Sequence, residues 1–307
     1  MKHFSVMLPE VIKGLNIKDD GVYVDATLGY AGHSKVILKR IKRGHLYAFD
    51  ADSQAISYSH HELSEISSNF KIIHSNFINL KEKLDLEGVG LVDGFLFDLG
   101  LSSPEIDEAS RGFSFMQDAA LDMRMDQDEK FSAKNLINTY TEEELTGLFY
   151  KYAEEPRSKE IARKIVEYRN KKEIEGTLEL VEIIKGAVGA NYFYKHHPER
   201  VIFQALRIEV NRELEAIEVA LPDAIKKLKK GGRICVITFH SLEDRLVKQI
   251  FRKYSEAPEM VRGLPEIPEE YKPLIKLINK KPITPSIEEL KINSRSKSAK
   301  LRIIERI

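Results

Sequence analysis

VYVDATLGYAGHS, residues 22–34, is the stretch whose reading decides the fold. A short apolar run ends on an acid, Asp25, and passes through a turn of small residues into HSKVILKRI, where Val36, Ile37 and Ile41 recur at helical spacing. Gly29, Ala31 and Gly32 let the backbone approach a ligand closely, as a strand-to-helix turn beneath a nucleotide requires. The same turn is also common for purely structural reasons, so what surrounds it matters. Working outward, HLYAFD, FKIIHS and VDGFLFD are further strand candidates, separated by helical patterns. That alternation is the signature of a parallel sheet covered by helices on both faces, with right-handed crossovers.

Asp50 closes the second strand candidate 25 residues after Asp25, where an acid commonly accepts hydrogen bonds from the two hydroxyls of an adenosine ribose. Either a dinucleotide or S-adenosylmethionine would sit at such strand ends. A pyrophosphate calls for G-x-G-x-x-G, whereas the spacing here is G-x-A-G-H and Asp25 stands at the end of the preceding strand. A carboxylate repels a pyrophosphate and attracts a sulfonium or ammonium group, so a methyl donor is favoured. The fourth strand candidate ends in Asp98, followed by LGLSSPEIDEASRGFSF, where an acceptor would be placed. Asp98 reads either as an oxygen acceptor that orients an amine or as a strand-end acid capping the next loop.

From about 106 to 202 the sequence becomes charged and helix-prone: TEEELTGLFYKY, SKEIARKIVEYRN and TLELVEIIKGAV are amphipathic, with no strand candidate among them. FQALRIEVNRELEAIEVAL then places Phe203, Leu206, Val210, Leu214, Ile217 and Leu221 on one stripe. Pro222 is expected to kink or split that helix. KKGGRICVITF turns through Gly231 and Gly232 into a fifth strand. The expected organisation is a doubly wound α/β core from 1–105 and 203–307, with an all-helical insertion over 106–202. Six of the eleven prolines fall between Ala257 and Pro285, which reads as an extended or mobile excursion.

Composition narrows the classes. No apolar stretch approaches the roughly 20 residues of a bilayer span, no basic start leads into an apolar run, and Cys235 is the one cysteine. A cytoplasmic protein without disulfide, thiolate zinc site or membrane partner is expected, with Cys235 in the core. His60 with His61 and His196 with His197 are adjacent pairs whose rings diverge in regular structure, so no metal is expected. Lysine plus arginine equals aspartate plus glutamate at 48 each, yet residues 280–307 carry eight basic against three acidic, net +5. This tail, with Lys297, Lys300 and Arg302, reads either as a solvated surface or as a phosphate-binding segment.

YVDATLGYAGHS, DGFLFDLGLSSP, RGFSF, LDMRMD, FQALRIEVNREL, GGRICVITFHSLEDRLVK and SRSKSAKLR, in this order, resemble the bacterial small-subunit ribosomal RNA cytosine-N4 methyltransferases of the MraW family. The blocks span the chain from Met7 to Arg306. The resemblance implies a class I, Rossmann-like methyltransferase core and an RNA-holding helical insertion. It further implies transfer from S-adenosylmethionine to the N4 amine of a decoding-region, P-site cytidine of 16S ribosomal RNA, within the small subunit. It puts Ala31, Gly32 and His33 at the methionine side of the donor, Asp50 on the ribose, Phe77 near the adenine, and Asp98 by the methionine and the transfer point. Glu105, after Ser102, Ser103 and Pro104, falls at the binding edge.

The sequence departs from the family where Ala31 replaces a usual glycine and Glu105 a usual glutamine. HPERVIFQALR replaces a proline-alanine-threonine-arginine pattern, which leaves Arg200 without an assigned contact. Ser102, Ser103, Arg124 of LDMRMD, Arg245 and the tail cations count as candidate substrate contacts. Phe113 and Phe115 read either as a stacking platform for an unpaired base or as packing under the insertion. His240 reads as a base or as a structural residue, and Ser241 as the cap of the helix that Glu243 and Asp244 begin. A donor-binding but non-catalytic assembly factor, and methylation of protein or a small molecule, are the competing functions.

Overall fold

The computed structural model describes residues 5–101, 108–261 and 266–307. They divide into two compact units, one from 1–100 and 214–307 and one from 101–213. The first opens with α1 (Leu8–Leu15), where Pro9 occupies the first turn and its missing N–H costs no helical bond. Then β1 (Val22–Asp25), α2 (Gly32–Arg40), β2 (His45–Asp50), α3 (Ser53–Ser64), β3 (Phe70–His74), α4 (Leu80–Leu86) and β4 (Val92–Asp98) alternate. The second unit contributes α5 (Ala133–Thr139), α6 (Glu142–Leu148), α7 (Ser158–Arg169), α8 (Thr177–Val188), α9 (Ala190–His196) and α10 (Pro198–Val210). The chain closes with α11 (Glu213–Lys227), β5 (Leu228–Thr238), α12 (Ser241–Ser255), β6 (Ile275–Leu277), α13 (Ile287–Ile292) and β7 (Lys300–Arg306).

All seven strands form one sheet in the order β3-β2-β1-β4-β5-β7-β6. β1 pairs in parallel with β2 and β4, and β4 with β5, whereas β7 runs antiparallel to both its neighbours. This is the doubly wound, Rossmann-like α/β fold expected from the alternating pattern. Each interior strand feeds two cores because successive side chains face opposite ways. Phe95 and Phe97 pack with Ile217, Leu221, Val247 and Phe251 on one face, while Leu96 joins Leu15, Ile37, Leu38 and Ile303 on the other. Cys235 belongs to this second face, fully buried, and burial pushes its thiol far up. A side chain on Gly14 would meet the Cys235 sulfur at 2.8 Å, so α1 lies as near the sheet as it does because residue 14 has none.

Four expectations are corrected here. The apolar stripe does break, but at Asn211 and Arg212, whose φ of 51 lies in the left-handed region, and not at Pro222, which sits inside α11. The break separates two duties: Phe203 and Leu206 are core of the helical unit, and Ile217 and Leu221 are core of the sheet. The helical unit therefore runs to 213 rather than ending at 202. The prolines of 257–285 do not preclude order, since β6 lies within that segment and Ile283 bridges to Leu301. The charged tail likewise ends in a buried strand, with Leu301, Ile303 and Ile304 almost without exposure.

The helical unit has its own core of Leu136, Leu145, Phe149, Ile161, Ile165, Leu180, Ile184 and Phe203 among others. Ser132 and Thr141 each close a capping box with the residue three positions on, Asn135 and Glu144.

Candidate functional site

At the carboxyl ends of β1, β2 and β4 the small-residue turn is built from crossed polar contacts. Asp25 is buried; its carboxylate accepts from the Ser34 hydroxyl at 2.7 Å and from the Thr27 N–H at 3.1 Å. Gly29 has φ 48, and a side chain there would meet nothing within 4 Å, so the backbone angle and not crowding asks for glycine. Ala31, where glycine is usual in the family, has φ 59 just before α2, at a cost of roughly 1–2 kcal/mol. Its methyl group lies fully buried among Leu28, Ile37 and their neighbours, which offsets part of that strain. Gly32 begins α2.

Asp50 does more in the structure than an acceptor for a ribose would. One carboxylate oxygen accepts from the Gly29 N–H at 2.7 Å, the other from the Asp52 N–H at 2.8 Å. The Ser59 hydroxyl donates to the Gly29 carbonyl at 2.7 Å, so β2 and α3 together hold the turn after β1. Phe77, half-buried after β3, meets Phe97 edge-on with ring centroids 5.8 Å apart.

Asp98 closes β4. Its N–H donates to the Thr27 hydroxyl at 2.7 Å, one carboxylate oxygen lies 3.5 Å from His33 Nδ1, and the other is buried with no hydrogen-bond partner among the described residues. Burial, followed by the Asp25, Glu243 and Glu289 carboxylates, pushes Asp98 up to about 8. Burial likewise raises Asp25 to about 6, although its bonds from Ser34 and Thr27 act the other way. His33, 6 % exposed, contacts the Val6 carbonyl through Nε2 at 3.0 Å. A half-buried carboxyl with one oxygen lacking a hydrogen-bond partner among the described residues, set among other acids, suits a cationic group and would repel a pyrophosphate.

Other candidates are placed differently from the sequence reading. His240, not Ser241, is the N-cap of α12: Nδ1 accepts from the Glu243 N–H at 3.4 Å, and Nε2 lies 3.1 Å from Glu243 Oε1 without hydrogen-bond alignment. Glu243 in turn accepts from the Phe239 and His240 N–H groups. Both ring nitrogens are thus turned to the start of α12, and the geometry does not support the base role. Arg302 is also not a surface cation, because its guanidinium pairs bidentately with Asp244 at 2.7 and 3.1 Å with 11 % exposure. Lys300 shares Asp244 at 3.4 Å, whereas Lys297 and Arg245 are exposed.

In the helical unit, Arg124 binds Asp122 through two nitrogens at 2.8 and 2.7 Å and also donates to the carbonyls of Gln127 and Glu129. Its donors are occupied in shaping the loop, which corrects its reading as a substrate contact. Asn211 completes that loop by accepting from the Met125 N–H and donating to the Met123 carbonyl, and buried Arg111 donates to the carbonyls of Arg124 and Met125. Phe115 meets Phe203 edge-on at 5.8 Å, and Arg111 lies over the Phe113 ring at 5.9 Å. Both rings pack against the helical core. Ser102, Ser103 and Glu105 lie outside the described residues.

Sequence reading missed Thr27, Ser34 and Ser59, which hold Asp98, Asp25 and the turn, and also Asn211 and Glu289. Small hydroxyl residues carry no signal until the strand ends are brought together. Among the described residues no helix is long and apolar enough to cross a membrane.

The sequence model of the MraW methylase family matches residues 1–307. The ribosomal RNA small subunit methyltransferase H of Exiguobacterium sibiricum is 51 % identical over 307 residues, covering 100 % of this chain and 98 % of that protein. An rRNA methylase of Streptococcus thermophilus, known from its crystal structure, aligns over 98 % of this chain and 93 % of its own at 13 % identity, with a TM-score of 0.42.

Proposed function

This chain belongs to the MraW methylase family, and from that premise we propose that it transfers a methyl group from S-adenosylmethionine to small-subunit ribosomal RNA, at the N4 amine of a decoding-region cytidine of 16S RNA, in the cytoplasm. The observation that carries the reading is 51 % identity across the whole length with a small subunit methyltransferase, taken together with an acid-lined turn where one Asp98 carboxylate oxygen has no hydrogen-bond partner among the described residues. When bound, the donor supplies an electrophilic methyl on a positively charged sulfur. The backbone of Ala31, Gly32 and His33 would hold its methionine part, Asp50 would accept from the ribose hydroxyls, and Phe77 would pack on the adenine. Asp98 faces the cationic end of the donor and the incoming amine.

An exocyclic amine is a weak nucleophile because its lone pair is delocalised into the ring, so alignment with the donor methyl contributes most of the rate. Asp98 serves that alignment by accepting a hydrogen bond from the amine. The exposed Lys297 and Arg245 supply phosphate contacts. Mass spectrometry of 16S RNA from cells lacking this protein tests the reading. One decoding-region cytidine should lose its N4 methyl and keep its ribose methyl. Retention of the N4 methyl would sink the assignment, and binding to small subunits without any lost methyl would identify an assembly factor instead.

A further inference from the structure

His33 and Asp98 lie close enough to hold a proton in common, and the inference drawn from this rests on the donor reading above. The Val6 carbonyl can only accept, so His33 Nε2, 3.0 Å away, carries hydrogen. In a neutral ring Nδ1 then turns a lone pair toward the Asp98 carboxylate oxygen 3.5 Å from it. The two atoms lie within ion-pair reach without a hydrogen bond between them, a contact that is repulsive with both partners deprotonated and attractive once either carries a proton.

The surroundings favour keeping that proton. Asp25 at the end of β1, Glu243 on α12 and Glu289 on α13 all act on Asp98 with negative charge, and its second oxygen is buried without a partner. His240, at the start of α12, is turned to Glu243, and Glu289 accepts the Met7 N–H at 2.9 Å. Among the groups named, His33 is the one on α2 within ion-pair reach of Asp98. Burial and the three acids place Asp98 near 8.

We propose that the empty donor site keeps one proton between Asp98 and His33, and that a sulfonium donor expels this proton to solvent as it binds. The balance is simple: the Asp98 carboxyl becomes a carboxylate, one proton goes to buffer, and the arriving positive charge takes its place. The demethylated product keeps the donor's ammonium and carboxylate but is a neutral thioether at sulfur, so it lacks the charge that replaces the proton and leaves the proton where it is. Donor and product therefore differ in proton release and in how their affinities depend on pH.

The test is titration calorimetry of the full chain at pH 7 with S-adenosylmethionine and with S-adenosylhomocysteine, each in several buffers of different ionisation enthalpy. The donor should release about half a proton or more and the product close to none. From pH 6 to pH 7 the ratio of donor to product affinity should rise about tenfold. Asp98→Asn should abolish the release; if that variant binds too weakly to measure, the wild-type pH series decides by itself. Equal proton counts for the two molecules, or release that persists in Asp98→Asn, would overturn the proposal. Heat from neither molecule would overturn the donor reading, and this inference with it.

Discussion

Asp98 in the α/β unit and Glu179 in the helical unit are both partly buried acids, and their surroundings treat them in opposite ways. Around Glu179 burial works to raise the carboxyl, but Lys172, the Glu175 N–H and the Tyr168 hydroxyl outweigh it and hold the group at about 2. Around Asp98 the neighbours are further acids, one oxygen has no partner, and the group rises to about 8. The units differ in overall charge as well: 101–213 carries 17 basic and 22 acidic residues, net −5, which leaves +5 for the remainder. A group with satisfied bonds contributes to stability, while one left unsatisfied stores an interaction for a ligand. On the proposed reading the chemistry belongs to the α/β unit, while polar groups of the helical unit such as Arg124 and Asn211 hold its own loop.

The largest effect that would sharpen this contrast is expected at the transfer point. Asp98→Ala should slow single-turnover methyl transfer by at least about 100-fold, because alignment and electrostatics there act on the reacting atoms. Affinity for RNA should stay within about twofold, since the residue touches few phosphates; a parallel loss of RNA binding would put Asp98 outside the transfer site.

A next, smaller effect separates the units by what each loses. Asp50→Ala should weaken donor binding by about 10- to 100-fold, from lost charge-assisted bonds of about 1.5–3 kcal/mol, the larger figure applying if the Gly29 turn also loosens. Asn211→Ala should leave donor affinity unchanged and destabilise the helical unit by about 1–3 kcal/mol, seen as faster amide exchange over 121–126 and α10. Calorimetry on both variants, with exchange measured on the second, breaks the division if Asn211→Ala alters donor binding.

The smallest effect lies within the basic tail. Lys297→Ala should flatten the logarithmic salt dependence of RNA binding by about one unit and leave the fold alone. Arg302→Ala should instead lower the unfolding midpoint, since it strands Asp244 beside the sheet. If Arg302→Ala changes only the salt slope, the pair with Asp244 does not hold it.

What the sequence determined by itself is what repeats locally. Five strands with their order of appearance, the small-residue turn, the acids Asp25, Asp50 and Asp98, and the switch to helical sequence all follow from periodicity and punctuation, which act over a few residues. The tertiary structure decided whatever depends on partners far apart in the chain. Arg302 meets Asp244 across 58 residues and Asn211 meets Met123 across 88, so charge or amide type alone could not say that both are spent internally. β7 was hidden for the same reason: Arg302 and Lys300 gave the segment the look of a solvated tail, and only antiparallel pairing with β5 makes it a strand. Nor could sequence tell that Ala31 takes a left-handed turn while burying its methyl, or that Asp98 faces three other acids, because burial and Coulomb interaction are set by distance in space.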